Sequence, residues 1–304
     1  MQKLGADIRR DVYGLTTTGG YGLPYQMDVM DAHGLKAVFF LEGLFACETG
    51  PEPLREIVSM VRSRGHEVQL HIHTEWLQWI EPSILPGRFG NNVKDFSEDE
   101  QVLLIGRALE NLKGAGAPDV SAFRAGNYGA NLDTLRALAQ LGLRYDTSHN
   151  TTYLDTDCGL QTGRPEFQPR VIEGVWEFPV TYFSDWPGHY RHAQVCACST
   201  RELQRTMLQA WQRGWYSFVL VSHSFEMLRR RKQGGVTALA DRTVIRRFEA
   251  LCRFLGENRD KFRTSGFSDV DPAAIPATGP AAPLHSTVHQ TARRMAEQLM
   301  RRLS

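Results

Sequence analysis

The chain has 304 residues, 42% of them hydrophobic and 23% charged, the composition of a globular protein with room for one large core. A formal net charge of +1 gives no electrostatic reason to expect nucleic acid or a strongly anionic partner. No apolar run reaches the roughly eighteen residues of a membrane span, and Met1–Asp7 lacks the apolar core of a signal peptide.

The predicted elements alternate between helix and strand. Pro24–Gly34 reads as an amphipathic helix (Tyr25, Met27, Val29, Met30) closed by glycine, and Leu35–Leu41 as a buried strand. Pro53–Gly65 carries Leu54, Ile57, Val58 and Val61 at helical spacing, and Glu67–Ile72 follows as a strand. Ser97 with Glu100 is a capping box opening a helix whose apolar face is Leu103, Leu104, Ala108 and Leu112. Val120–Phe123 is a short strand ending at Arg124. Leu132–Leu141 is a helix closed by Gly142, followed by Leu143–Asp146. Val175–Val180 is a strand, Arg201–Arg213 a helix, Phe218–His223 the last clear strand, and Arg242–Leu255 the helix behind it.

This alternation implies an α/β fold with parallel strands and helices outside. The residues able to do chemistry follow strands: His71, His73, Arg124, Asp146, Asp185 and His223. In a (β/α) barrel that end of the strands is where active sites form.

The sharpest local signal is His71-Ile72-His73. Residues two apart on a strand share a face, so the two imidazoles project side by side, a workable geometry for one metal ion. Two histidines satisfied by local hydrogen bonds fit this segment equally well. The five cysteines are scattered without a CxxC pair, which points to reduced thiols and a cytoplasmic protein. Arg229-Arg230-Arg231-Lys232 reads as a solvated surface run rather than an anion site.

The tail changes character. Residues 1–268 form the barrel domain, and 269–283, rich in Pro, Ala and Gly, reads as an extended linker. Residues 284–304 return to helical period, with Val288, Ala292, Met295, Leu299 and Leu303 on one face. That face suits a protein partner, although packing on its own domain is the commoner fate of a terminal segment.

Five segments, in order, resemble the polysaccharide deacetylase family, the NodB-type carbohydrate esterases, over roughly residues 20–265. They are Leu35-Lys36-Ala37-Val38-Phe39-Phe40, Gly65-His66-Glu67-Val68-Gln69-Leu70-His71, Phe123-Arg124-Ala125-Gly126-Asn127-Tyr128, Glu177-Phe178-Pro179-Val180 and Leu220-Val221-Ser222-His223. The resemblance implies a distorted (β/α)7 barrel of the glycoside hydrolase/deacetylase type. It implies removal of acetyl groups from a glycan with one divalent metal, zinc being the expected ion. It assigns the metal to His71 and His73, the general acid to His223, and to Arg124 the orientation of a base aspartate. Asn127 takes the oxyanion-hole position, and Tyr128, Trp76 and Asp146 become candidate contacts to the sugar. Trp79, Tyr182, Trp186 and Tyr190 join the aromatics near these turns, where packing on sugar C–H faces and ordinary core filling are equally expected. A turn role for Asp146 is as well supported as a sugar contact.

Two departures from the family pattern stand out. Glu75 occupies the usual place of the second metal histidine, and Gly126 the place of a proline. No strand ending in paired carboxylates precedes Leu35. Asp7, Asp11 and Asp28 are poorly placed substitutes, so the expectation is a truncated start and a barrel open where its first strand would lie. A catalytically inactive glycan-binding or scaffold relative is the alternative that this absence supports.

Overall fold

The computed structural model describes residues 8–154, 156–229, 238–277 and 282–303; Asp7 and Arg230–Lys232 lie outside them. Helix α1 (Leu23–Ala32) carries Pro24 in its first turn and ends where Gly34 turns to φ +60°. That left-handed residue lets the Leu35 amide return to the Met30 carbonyl at 2.9 Å, a closure a side chain would strain. Strand β1 (Val38–Glu42), helices α2 (Phe45–Thr49) and α3 (Glu52–Ser63), and strand β2 (Glu67–Ile72) follow. Helix α4 (Glu98–Gly114) opens on the expected box: the Ser97 amide donates to Glu100 at 2.8 Å and the Glu100 amide to Ser97 Oγ at 3.4 Å. Gln101, not Leu103, takes a buried place on that helix, and Leu103 faces solvent.

Strand β3 (Ala122–Ala125), helix α5 (Leu132–Gln140) and strands β4 (Tyr145–Asp146), β5 (Arg170–Ile172) and β6 (Val175–Glu177) complete the main sheet. Its order is β1-β2-β3-β4-β6-β5, parallel from β1 through β6, with β5 antiparallel at the far edge. Past it lie the hairpin β7 (Tyr182–Trp186) and β8 (His189–His192), helices α6 (Thr200–Gln212) and α7 (Arg242–Glu257), strand β9 (Leu284–His285) beside β7, and helix α8 (Val288–Leu303).

The two faces of the sheet differ because strand side chains alternate. Phe39, Leu41, Val68, Leu70, Ile72 and Phe123 join the large core beneath the helices. Val38, Phe40, Ala122, Tyr145, Trp176 and Phe178 form a second core on the opposite, inner face. Phe267 and Ile275 pack into that inner core, with the Phe267 ring 5.3 Å from Tyr145 and 5.4 Å from Phe178. Within the expected linker Ile275 is buried and Val270 packs on the same core, while most of its other described residues are exposed. Residues 278–281 of that stretch are not among those described.

The α/β class with a parallel sheet is as expected. Phe218–His223, expected as a strand, carries one bridge, Val221 with Gln194. Backbone bonds between Val221 and both Ala193 and Val195, and from Thr181 to Val219, hold it on one side. Among the described residues, β1 has a ladder partner only in β2, and no ladder joins β1 to residues 218–223. The ring is therefore not closed by ladders, and a segment with one satisfied side does not register as a full strand.

Helix α8 docks on its own domain with the face opposite to the one expected. Arg294, 3% exposed, reaches Asp185 at 2.7 Å and Glu202 at 3.0 Å. Arg247 meets Glu297 at 2.9 Å, and Arg301 meets Asp241 at 2.5 Å. The apolar residues Val288, Met295 and Leu299 face solvent; the Leu303 side chain is not described. Buried carboxylates on β7 and α6 decide this, since each requires a cation once out of water. Among the described residues, no helix is long and apolar enough to cross a membrane.

Candidate active site

The register of the sheet places Glu42, His71 and Arg124 side by side on β1, β2 and β3. All three are inner-face positions at the carboxyl ends of their strands, where the apolar floor gives way to polar groups. His71 Nδ1 lies 2.6 Å from the Arg124 carbonyl oxygen. A carbonyl only accepts, so Nδ1 carries the proton and Nε2 keeps its lone pair. Burial, then the charge of His73, pushes the His71 pKa well below its ordinary value, so the ring is neutral at pH 7. The rings of His71 and His73 meet edge to face with centroids 4.6 Å apart. The pair shares one space, as the two-residue spacing predicts.

Glu42 is the residue sequence reasoning missed. Its Oε2 accepts from the His73 amide at 2.5 Å and lies 3.2 Å from His73 Nδ1, while Oε1 accepts from the Leu44 amide at 2.8 Å. Burial opposes protonation of His73, but the hydrogen bond and charge of Glu42, helped by Glu75, win and raise its pKa. The signal was available: Val38, Phe40 and Glu42 alternate onto one face, and the strand runs one residue beyond the expected end.

Arg124 donates to the Thr147 carbonyl at 3.1 Å and to Thr147 Oγ1 at 3.0 Å, and its guanidinium lies 4.6 Å over the Phe40 ring. Among the described residues no carboxylate stands within ion-pair distance of it. Asn127 and Tyr128 both have positive φ, 55° and 59°, a strained pairing of the sort that clusters at functional loops. Asn127 is exposed and donates to Glu75 at 3.2 Å, and Glu75 Oε2 is buried without a partner. Gly126 is explained by close approach: a Cβ there would stand 2.6 Å from His73 Cδ2.

His223 comes to the same end of the sheet. It is near enough to His71 to be among the groups that lower the His71 pKa. Its Nδ1 lies 2.7 Å from Glu226, which is almost fully buried. Gln194 donates to Glu226 and lies 2.5 Å from His192 Nε2, and His192 Nδ1 is 3.0 Å from Thr152. Glu226, Gln194 and His192 were not anticipated. Only the i, i+3 spacing of His223 and Glu226 hinted at one of them.

Residues 12–145 match the family model described as "Polysaccharide deacetylase". The match covers less than half of the chain. No curated protein matches the chain. Among solved structures, the chain is similar to a protein described as a polysaccharide deacetylase from Mycobacterium smegmatis, 19% identical, covering 86% of this chain and 82% of that one with a TM-score of 0.49. It is also similar to a family 4 carbohydrate esterase from Streptomyces lividans solved with acetate, 14% identical, covering 84% and 89% with a TM-score of 0.43. A third, a family 4 pseudoenzyme, is 10% identical, covering 80% and 59% with a TM-score of 0.40.

The matched segment contains His71, His73, Arg124, Asn127 and Tyr128, while His223 lies beyond it. Two more expectations concern Asp146, just past the segment, and Trp76 within it. Asp146, read as a sugar contact, points to the outer face. It is fully buried, its oxygens accept from Ser148 N and Oγ at 3.0 and 2.8 Å, and it is hydrogen-bonded to Glu177. A sugar does not reach it. Trp76 is half-buried against Phe45 and Trp79, so it fills the core edge as much as it faces the site. Of the other aromatics, Tyr128 packs near Tyr153 and His192, Tyr182 is buried on Phe167, and Trp79, Trp186 and Tyr190 are exposed. Asp11 and Asp28 are paired to Arg10 and Arg64.

The domain's residues fit a divalent ion in part. His71 is neutral and both Nδ1 atoms are engaged, which leaves the two Nε2 atoms as donors. No group of three or more His, Cys, Asp or Glu with metal-holding geometry occurs among the described residues. Two nitrogen donors are one fewer than the three protein ligands usual at a catalytic zinc site.

Proposed function

We propose that this domain removes acetyl groups from an acetylated glycan, using a divalent ion, zinc by preference, held by His71 and His73. The observation that supports it is the pair of imidazoles meeting at 4.6 Å with both Nδ1 atoms already committed. When bound, such an ion polarises the acetyl carbonyl and lowers the pKa of water to about 7. The protein groups do the rest. His223, oriented by Glu226, donates a proton to the leaving amine or alcohol oxygen. The strained Asn127–Tyr128 turn directs amide groups toward the carbonyl oxygen. Arg124, cationic and without a carboxylate among the described residues, orders the side of the site next to His71.

A second reading is a glycan-binding relative without turnover. Among the described residues, the lack of a carboxylate beside Arg124 and of a third metal-holding side chain favours it. The experiment is acetate release from chitopentaose and from acetylated xylan, with and without added Zn²⁺ or Co²⁺. Metal-stimulated release from either, lost in a His71→Ala/His73→Ala double variant, supports the deacetylase. Binding to these glycans without acetate release at any metal concentration supports the second reading.

A further inference from the structure

We propose that Glu42 is a positioning residue that locks the His73 ring with Nδ1–H toward its own carboxylate, so that Nε2 is the atom offered to a divalent ion. The inference rests on the reading of His71 and His73 as ligands. It begins from the register: Glu42 is the direct neighbour of His71 across β1 and β2, so its side chain rises into the space His73 enters as the chain leaves the sheet. Period-two alternation from Val38 and Phe40 brings an acid to this position, where the floor beneath is apolar.

The hydrogen bonds then narrow the roles a carboxylate would have here. Oε2 accepts from two of the three nitrogens of His73, the amide at 2.5 Å and Nδ1 at 3.2 Å, and Oε1 accepts from the Leu44 amide at 2.8 Å. With Oε2 accepting two N–H groups and Oε1 held by the Leu44 amide, the carboxylate is fixed against His73 and keeps one acceptor site on Oε1. It does not join His71 and His73 as a third ligand in any metal-holding group. What the bonds support is control of ring orientation and tautomer. The parallel at His71 is close: there the Arg124 carbonyl holds Nδ1 at 2.6 Å. Two different acceptors, a main-chain carbonyl and a side-chain carboxylate, thus impose the same tautomer on both rings. Acceptors of this kind typically govern metal affinity by about 10–100-fold.

Two measurements on the full chain test it. The first needs no metal. Long-range ¹⁵N–¹H correlation of the His73 ring, at a pH where it is neutral, should show Nδ1–H alone in wild-type protein and in Glu42→Gln, whose amide oxygen still accepts. It should show mixed tautomers in Glu42→Leu. The second is calorimetric titration of metal-free protein with Zn²⁺. Glu42→Leu should bind about 10–100-fold more weakly, with Glu42→Gln recovering most of the loss. Mixed tautomers in wild-type protein, or wild-type affinity in folded Glu42→Leu, would overturn the inference. If Glu42→Leu does not fold, the wild-type tautomer and the Glu42→Gln titration still decide. A fixed tautomer with no Zn²⁺ uptake by wild-type protein would instead sink the metal reading on which the inference stands.

Discussion

His71 Nδ1 donates to the carbonyl oxygen of Arg124, its register partner one strand away, at 2.6 Å. The contact ties a ring to a backbone rather than to a side chain, so no substitution at Arg124 removes it. His71→Ala or His73→Ala should each abolish uptake of one divalent ion per chain, because a two-histidine set has no redundancy. Metal content after dialysis against Zn²⁺ is the check. Full occupancy in the His73→Ala protein would show that the ion is held elsewhere.

His223 is 41% exposed but partners the buried Glu226 at 2.7 Å, so replacing it should cost about 1–3 kcal/mol of stability. Its loss should also cost about 10²–10⁴-fold in turnover if it is the general acid. Acetate release measured beside a urea melt separates the two. An active His223→Ala protein would remove His223 from the chemistry.

Asp146 and Glu177 form a buried carboxyl pair on the outer face of the sheet. Burial, then the charge of Asp146, raises Glu177 well above its ordinary value, and burial also raises Asp146. The folded state therefore holds a proton that the unfolded chain releases above about pH 4. The stability this contributes is complete below that pH and is lost as pH rises through the folded-state value. Glu177→Gln needs no proton to bond Asp146, so it should flatten the decline in stability toward alkaline pH. Glu177→Ala should cost about 1–3 kcal/mol, since the His149 amide loses its acceptor at 3.0 Å. Denaturant midpoints from pH 5 to pH 9 test both, and identical slopes in wild type and Glu177→Gln would refute the assignment.

Arg294→Ala leaves Glu202 buried without its cation, while Asp185 keeps Arg191 at 2.8 Å. A loss of about 3–5 kcal/mol is expected, together with release of α8 from the domain. Thermal melting and limited proteolysis near residue 288 would report it. Arg293, which is exposed and paired to Glu297 at 3.2 Å, should be nearly silent as the control.

Much of this was legible in the sequence because it rests on local rules. Glu67–Ile72 and the helix opening at Ser97 follow from alternation and capping alone. Phe218–His223 is a different matter. Its apolar run satisfies the strand pattern, but being a strand depends on neighbours, and β1 does not pair with it. The hairpin of β7 and β8 was overlooked although Pro187-Gly188 marks its turn. Glu42 and Glu226 were missed because each is the acid that steadies a histidine. Only three-dimensional proximity separates such an acid from a surface one. The same reason misled the reading of Asp146, whose face depends on a register that Tyr145↔Trp176 fixes.

The near collision between position 126 and His73 makes two distant stretches of chain a single unit of variation. Any residue larger than glycine at 126 would press on His73 from 2.6 Å and on the Ile72 carbonyl oxygen from 2.7 Å, so part of its effect would be read out at the imidazole. In a pairwise mutational scan, changes at Gly126 and His73 should show partial epistasis: replacing the ring by alanine relieves one collision, while the Ile72 carbonyl still penalises a side chain at 126.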